Sequence, residues 1–142
     1  MTKEQIAYLA GFIDADGTIS IRKDRKKYKP HISISNTNRP VLEYFYDLIG
    51  SGAICNHGRS KKNHAKAYSI RWEYNKALKI AKFCYPYLHV KKERAGLLIN
   101  EWKAYTPRNG YYTPEIWEKK LDLVKRMRVL NKRGPKRGLD FG

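Results

Sequence analysis

The first apolar positions of the chain repeat with the spacing of an amphipathic helix. Ile6, Leu9 and Ile13 are three or four residues apart, so they share one face of a helix. The pattern stops at Gly17, where an alternation of apolar and polar residues begins. We therefore predict a helix of about three turns that ends at Gly17.

Two alternating segments, residues 18–24 and 31–37, follow this helix. Both are rich in β-branched residues, which predicts two strands, and the basic stretch 25–30 between them predicts a hairpin turn. A second helix is expected from Asn38 and Pro40 to Gly50, because these residue types are typical of helix starts and ends. Its predicted buried face carries Val41, Phe45 and Leu48.

The same arrangement then recurs along the chain. Residues 52–57 and 67–74 predict a second hairpin, and Asn75 is expected to cap a third helix. Helical spacing reappears over residues 93–105 and again after Pro114. The predicted core face of the last helix carries Trp117, Leu121, Val124 and Met127. The order helix, two strands, helix, two strands, helix, with additional C-terminal helices, predicts an α+β fold.

The composition indicates a partner class. The 142 residues include 30 Lys and Arg against 13 Asp and Glu, a formal net charge of +17 that favours polyanions such as nucleic acid. A charge that serves only solubility is the alternative. We find no apolar run typical of a membrane span and no signal peptide. We therefore expect a cytoplasmic, nucleoid-associated protein, or an organellar one if its gene lies in an organelle.

The length fits one domain over residues 1–130. Residues 131–142 are basic and rich in Gly, which is typical of a flexible terminus. This tail would either contact phosphate groups or have no specific role.

The four predicted strands form a sheet that the helices would cover on one side only. Counting by twos places Ile19, Ile21, Ile32 and Ile34 inward, so polar and basic side chains occupy the free face. Such side chains suit the DNA major groove, although a solvated face without a ligand is the alternative. The predicted DNA-binding residues are Ser20, Arg22, Asp24, Lys29, His31, Ser33, Ser35, His57, Arg59, Ser69 and Arg71.

Two carboxylates lie where the first helix ends. Asp14 is in its last turn and Asp16 is at its end, where a negative charge opposes the helix dipole by roughly 0.3–1 kcal/mol. A divalent cation, bound by the Asp16 carboxylate and a free backbone carbonyl, would offset this cost. One carboxylate is a poor cation site, but the small residues Ala7 and Gly11 would let a second copy of the helix approach. A plain helix end with two solvated acids is the alternative.

The sequence LAGFIDADG of residues 9–17 resembles the signature of the LAGLIDADG homing endonucleases, from which it differs at Phe12. The resemblance extends to the order of helices and strands, to the segment SNT at residues 35–37 and to YLHVKKERA at residues 87–95. It implies a single αββαββα domain in which a four-stranded antiparallel sheet forms a DNA-binding saddle.

The resemblance also implies roles for individual residues. The last acid of the motif, Asp16, would bind a divalent metal, Mg²⁺, with help from the carbonyl of Ala15. Asn36 matches a polar residue that orders water near the metal. Lys91 matches a positively charged residue that approaches the active site, with Lys92 as the alternative after a shift of one position. Because only one motif is present, the chain would act as a homodimer, and its motif helix would supply the interface residues Ala7, Ala10 and Gly11.

The function implied by this resemblance is site-specific cleavage of double-stranded DNA. Such an enzyme would use metal held by Asp16 of each subunit, cut a palindromic or near-palindromic site and leave short 3′ overhangs. The alternatives are an intron RNA splicing maturase and a nucleic-acid-binding protein that no longer cleaves. A basic ribosome-associated protein would explain the charge but not the motif.

Overall fold

The computed structural model describes residues 1–57 and 66–132 of the chain. Within them the fold is α+β, as predicted. The helices are α1 (Lys3–Asp16), α2 (Arg39–Ile49), α3 (Tyr74–Cys84), α4 (Lys92–Glu101) and α5 (Pro114–Asn131), with a short 3₁₀ turn at Tyr85–Tyr87. The strands are β1 (Gly17–Asp24), β2 (Lys27–Asn36), β3 (Ala53–Asn56) and β4 (Tyr68–Glu73).

The four strands form one antiparallel sheet in the order β1-β2-β4-β3. The first hairpin is tighter than predicted, because Asp24 pairs with Lys27 and leaves only Arg25 and Lys26 in the turn. Arg25 adopts a left-handed conformation there, with φ of 58°. β2 consequently extends toward its N-terminus and brings Lys29 into the sheet opposite Arg22.

The inward side of the sheet forms the core with the helices. Ile19, Ile32, Ile34 and Ile70 are completely buried, which confirms the predicted alternation. Leu9 and Ile13 of α1 belong to the same hydrophobic cluster. Apolar packing therefore fixes α1 to the sheet, and such packing is the dominant stabilising contribution in a folded domain.

The junction between α1 and β1 is sterically tight. Gly17 has an extended backbone, with φ of −106° and ψ of 177°, so it does not end the helix through a left-handed conformation. A Cβ at this position would lie 2.7 Å from Cα of Ile13 and 2.8 Å from the carbonyl oxygen of Ser33. Glycine is therefore required by the close approach of β1 to α1 and β2.

The second and third helices confirm some sequence predictions and correct others. The Asn38 side chain caps α2 by accepting a hydrogen bond from the Val41 N–H (3.1 Å), and Gly50 ends α2 in a left-handed conformation. The buried side of α2 carries Leu42 in place of the half-buried Val41. Asn75 does not cap α3, because the helix starts one residue earlier, at Tyr74, and its N-cap is Glu73.

The last two helices also differ in detail from the prediction. α4 ends at Glu101 and not near residue 105, and α5 buries Lys120 while it leaves Leu121 exposed. An ion pair between Arg126 and Glu101 (2.5 Å) joins α5 to α4.

The C-terminal end of α5 is held against the sheet. Asn131, the first residue of the predicted tail, ends this helix and donates a hydrogen bond from Nδ2 to the Ile19 carbonyl oxygen (2.9 Å). Residues 133–142, the rest of that tail, lie outside the described residues. No helix in the described part of the chain is both long and apolar enough to span a bilayer.

Candidate functional site

The carboxylate of Asp16 lies at the exposed C-terminal end of α1, where the chain turns directly into β1. The Asn36 side chain, at the end of the neighbouring strand β2, donates from Nδ2 to Oδ2 of Asp16 (3.1 Å). Asn36 is itself held in place, because its Oδ1 accepts a hydrogen bond from the Asn38 N–H (2.8 Å). The structure therefore brings together Asp16 and Asn36, which are 20 residues apart in the sequence.

Asp14 has a different environment from Asp16. Its carboxylate accepts hydrogen bonds from the backbone N–H groups of His89 (2.8 Å) and Lys91 (3.0 Å). These groups lie just before α4, so Asp14 connects the last turn of α1 to the segment that leads into α4. Asp14 is not among the predicted site residues, and no local pattern in the sequence indicates this contact across more than 70 residues.

Lys91 is half-buried beside both acids. Its Nζ donates a hydrogen bond to the backbone carbonyl oxygen of Asp14 (2.6 Å). Burial lowers the pKa of Lys91, as does the charge of Arg94, whereas the charges of Asp14 and Asp16 oppose the shift. Lys92 is exposed and its Nζ lies over the Tyr85 ring, 4.9 Å from the centroid. Of the two adjacent lysines, Lys91 is therefore the one directed toward the end of α1.

One side of α1 is not covered by the rest of the chain. Ala7, Gly11 and Ala15 lie four residues apart and, with Tyr8, Phe12 and Asp16, line a shallow groove of about 360 Å³. A Cβ added at Gly11 would meet nothing within 4 Å. The prediction that Ala10 is an interface residue is corrected by the structure. Ala10 is completely buried in the core of its own chain and does not line this groove. Ala15 occupies the open face in its place.

The donor chemistry at the end of α1 fits a hard divalent cation. Asp16 offers an exposed carboxylate and Ala15 a backbone carbonyl at a helix C-terminus, both of which are oxygen ligands that Mg²⁺ and Ca²⁺ prefer. Within residues 1–57 and 66–132, no group of three or more His, Cys, Asp and Glu side chains is arranged to hold a metal. One described chain therefore supplies part of a metal site, and further ligands must come from a second copy, a substrate or water.

The free face of the sheet carries the predicted DNA-binding residues in cross-strand rows. Ser20 is paired with His31 and His31 with Glu73, while Ser33 is paired with Arg71. The described positions that remain at least partly accessible are Ser20, Arg22, Asp24, Lys29, Ser33, Ser35, His57 and Arg71. Arg59 lies outside the described residues.

Two predicted DNA-binding residues are much less accessible than the alternation implies. His31 is only 3% exposed, because the charged side chains of Lys29 and Glu73 lie beside it. Ser69 is 8% exposed, and its Oγ forms a hydrogen bond with Nε2 of His57 (2.7 Å). Period-two spacing predicts which side of a sheet a residue occupies, but not whether neighbouring long side chains cover it.

Sequence and structure comparisons give a consistent assignment. The family profile described as LAGLIDADG endonuclease matches residues 9–103. No curated protein sequence matches the chain significantly. The homing endonuclease I-CvuI in complex with its target, in the presence of calcium, superposes with a TM-score of 0.73 at 21% identity, over 95% of this chain and 86% of that one. A second I-CvuI complex, with DNA not cleaved in the presence of magnesium, gives the same TM-score at 22% identity.

Two further structures share this fold. The archaeal intron-encoded homing endonuclease I-Vdi141I complexed with DNA has a TM-score of 0.66 at 21% identity, over 94% of this chain and 88% of that one. The LAGLIDADG meganuclease I-AabMI bound to uncleaved DNA has a TM-score of 0.64 at 23% identity. It matches 84% of this chain, which in turn covers 43% of I-AabMI.

Proposed function

Because the chain belongs to the LAGLIDADG endonuclease family, we propose that it is a homing endonuclease that hydrolyses both strands of a long, specific DNA site. The observation that carries this proposal is the position of Asp16. Its exposed carboxylate ends α1 beside Asn36 and near Lys91, on the helix that also presents an uncovered face of small residues.

The active unit that we propose is a homodimer. The sequence contains one copy of the motif, and one described chain supplies only part of a metal site. A second α1 packed along Ala7, Gly11 and Ala15 would bring the two Asp16 side chains together, because Asp16 lines the same groove. Such an assembly has two equivalent sheets, and its DNA site would be palindromic or nearly so.

The interface can be tested without disturbing the fold of one chain. Gly11→Leu adds a side chain where the monomer has open space, so the monomer should fold while the two α1 helices are forced apart. An overpacking cost of about 1–3 kcal/mol would raise the dimer dissociation constant by roughly fivefold to 140-fold. Sedimentation velocity should show this change, and Val129→Leu, at an exposed position on α5, is the matched control. A Gly11→Leu dimer as stable as the wild type would contradict the interface.

The chemistry that we propose is hydrolysis of phosphodiester bonds with divalent metal, Mg²⁺ in the simplest case. The metal would be held by Asp16 and the Ala15 carbonyl of each subunit, and would activate water and stabilise the leaving oxygen. Asn36 orients the Asp16 carboxylate through its hydrogen bond. Lys91 carries a positive charge toward the same place and would offset the charge that develops on the phosphate.

The DNA surface that we propose is the free face of the sheet. Arg22 and Arg71 are exposed there, and Ser33 and Ser35 offer hydroxyl groups that can donate or accept hydrogen bonds. A face of this kind can bind along the major groove of each half-site, while the net charge of +17 supplies attraction to phosphates at any sequence. Because DNA is the proposed partner, we expect the protein in the compartment that holds its target DNA.

The proposed function is tested by selecting cleaved sites from a randomised duplex DNA library with Mg²⁺. We expect enrichment of one palindromic or near-palindromic site, cut on both strands with short 3′ overhangs, and no cleavage in a chelator. A library that is bound but never cut, across several divalent metals and temperatures, would favour a protein that binds nucleic acid without cleaving it. Binding of a structured intron RNA in preference to the library would favour the maturase alternative.

A further inference from the structure

An acidic side chain lies among the basic residues of the free sheet face. Glu73 ends β4, and its Oε2 contacts Nζ of Lys29 at 2.6 Å and Nδ1 of His31 at 3.5 Å. Its Oε1 lies 4.0 Å from Nε of Arg71. A second acid, Asp24, lies 3.7 Å from the same Lys29 ammonium group. Lys29 is thus flanked by two carboxylates on a surface that is otherwise basic.

The strand register places this cluster on the side that would face DNA. Glu73 is opposite His31, which is opposite Ser20, and the adjacent residue Trp72 is buried in the core on the other side. The side chains of Glu73 and Lys29 are 25% and 18% exposed. Both side chains are therefore partly buried but remain on the free face of the sheet.

The contacts hold Lys29 firmly. The hydrogen bond from Lys29 to Glu73 raises the pKa of the lysine, although partial burial opposes the shift. Burial disfavours the charged form of Glu73, yet hydrogen bonds and charges from Lys29 and His31 together lower its pKa. Both groups are therefore charged at neutral pH and stabilise each other. Because Glu73 and Asp24 offset its charge, this ammonium attracts a phosphate less strongly than a free lysine does.

The centre of the same row contains polar groups with unused hydrogen-bonding capacity. In the described part of the chain, Nε2 of His31 and the Ser20 hydroxyl have no hydrogen-bond partner, and Nδ1 of His31 has only its 3.5 Å contact with Glu73. Buried polar groups without partners are uncommon in folded proteins and need an explanation. A DNA base bound next to the Glu73 carboxylate would supply these missing hydrogen-bond partners.

We propose that Glu73 is a specificity-determining residue, which restrains Lys29 from binding phosphates at random and offers its carboxylate to the amino groups of DNA bases. This inference rests on the proposed DNA-binding function. A carboxylate repels phosphates but accepts hydrogen bonds from the amino group of cytosine or adenine in the major groove. On a chain with a net charge of +17, such a residue lowers affinity for arbitrary DNA more than affinity for the matching site.

The first test compares Glu73→Gln with the wild type on a random-sequence duplex across a salt titration. Release of Lys29 adds about one phosphate contact, so the slope of log affinity against log salt should steepen by about 0.9. With this difference in slope, the affinity of Glu73→Gln relative to the wild type should be roughly eightfold higher at 0.1 M salt than at 1 M. Asp122→Asn is the matched control: it removes an acid from an exposed ion pair on α5. Its slope should equal that of the wild type.

The second test asks whether Lys29 causes the gain. In a Lys29→Met background, Glu73→Gln should change the slope much less than it does when Lys29 is present, whereas an equal change in both backgrounds would overturn the inference. So would a Glu73→Gln protein whose slope and affinity match those of Asp122→Asn. Site selection with Glu73→Gln should also lose base preference at cytosine or adenine positions, and an unchanged selected site would contradict the base contact.

These measurements separate the inference from the proposed function. If the wild type binds random duplex DNA with a salt-dependent affinity and Glu73→Gln behaves like the control, only the role of Glu73 fails. If the wild type binds no duplex DNA at any salt concentration, the proposed function fails and the role of Glu73 fails with it. A thermal melt of each variant ensures that the proteins compared are folded.

Discussion

Lys91 and Lys120 are both withdrawn from solvent, and their surroundings differ. Lys91 is half-buried at the end of α1, where its Nζ binds the Asp14 carbonyl and the charges of Asp14 and Asp16 act on it. Lys120, on α5, is 1% exposed. Its Nζ lies 3.6 Å from the centroid of the Trp102 ring and donates hydrogen bonds to Thr106 and, at 3.3 Å, to the Tyr105 carbonyl oxygen.

The difference indicates what each lysine does. Burial lowers the pKa of both lysines, but only Lys91 is acted on by carboxylate charges that favour its protonated form. Lys91 is also part of a group that reaches the exposed end of a helix, where a substrate could approach. The partners of Lys120 are an aromatic ring and groups that follow α4, so it joins α5 to that segment. We therefore propose a functional role for Lys91 and a structural role for Lys120.

The largest effect that separates the two is expected in catalysis. Lys91→Met removes the ammonium group that we propose to lie near the reacting phosphate, but it keeps the backbone N–H that binds Asp14. The cleavage rate at the selected site should therefore fall by about 10²–10³-fold. The neighbouring substitution Lys92→Met should change the rate less than about threefold. Lys120→Met should also change the cleavage rate less than about threefold when the rate is measured well below the melting temperature of this variant. A Lys91→Met enzyme that cleaves as fast as Lys92→Met would remove the distinction between the lysines.

The second effect is on stability and depends on pH. Burial lowers the pKa of Lys120 to about 8, so between about pH 8 and pH 10.5 the unfolded chain binds a proton that the folded chain has released. The free energy of unfolding should therefore rise with pH across this window, by at most about 3 kcal/mol, relative to Lys120→Met. Urea unfolding at several pH values measures this difference. Parallel pH profiles for the two proteins would mean that the pKa of Lys120 is the same in the folded and the unfolded chain, which would contradict this prediction.

The smallest effect concerns the way Lys91 is positioned. Asp14→Asn keeps the shape of the side chain but weakens the hydrogen bonds to the His89 and Lys91 N–H groups, so we expect a loss of about tenfold in rate. It also removes a negative charge that raises the pKa of Lys91. The alkaline limb of the rate profile should consequently move to lower pH. A uniform loss of rate at every pH would mean that Asp14 acts only on the structure of the loop.

Much of the fold could be predicted because it depends on local spacing. The three-to-four spacing of α1 and the alternation around Ile19 and Ile32 each follow from the geometry of a single element. Spacing was insufficient on α5, where Leu121 was expected inside and Lys120 is buried instead. The aromatic ring that receives Lys120 belongs to Trp102 in another part of the chain, so no pattern within α5 contains this information.

The candidate site was predictable where the motif specifies it and not elsewhere. The motif predicts Asp16, and in the structure the Asn36 side chain donates a hydrogen bond to its carboxylate. The contacts of Asp14 with the segment before α4, and of Glu73 with Lys29, join residues far apart in sequence. Such contacts depend on how strands and helices are placed relative to each other, which local spacing in a sequence does not specify.

We propose that Asp16, and not Asp14, is the acid that hydrolysis requires. The most direct test measures single-turnover cleavage of the selected site by Asp16→Asn and Asp14→Asn, with Mg²⁺ and with DNA binding measured in parallel. We predict that Asp16→Asn binds the site but cleaves at least about 10³-fold more slowly than the wild type, whereas Asp14→Asn loses about tenfold. Cleavage by Asp16→Asn at the wild-type rate would contradict the account.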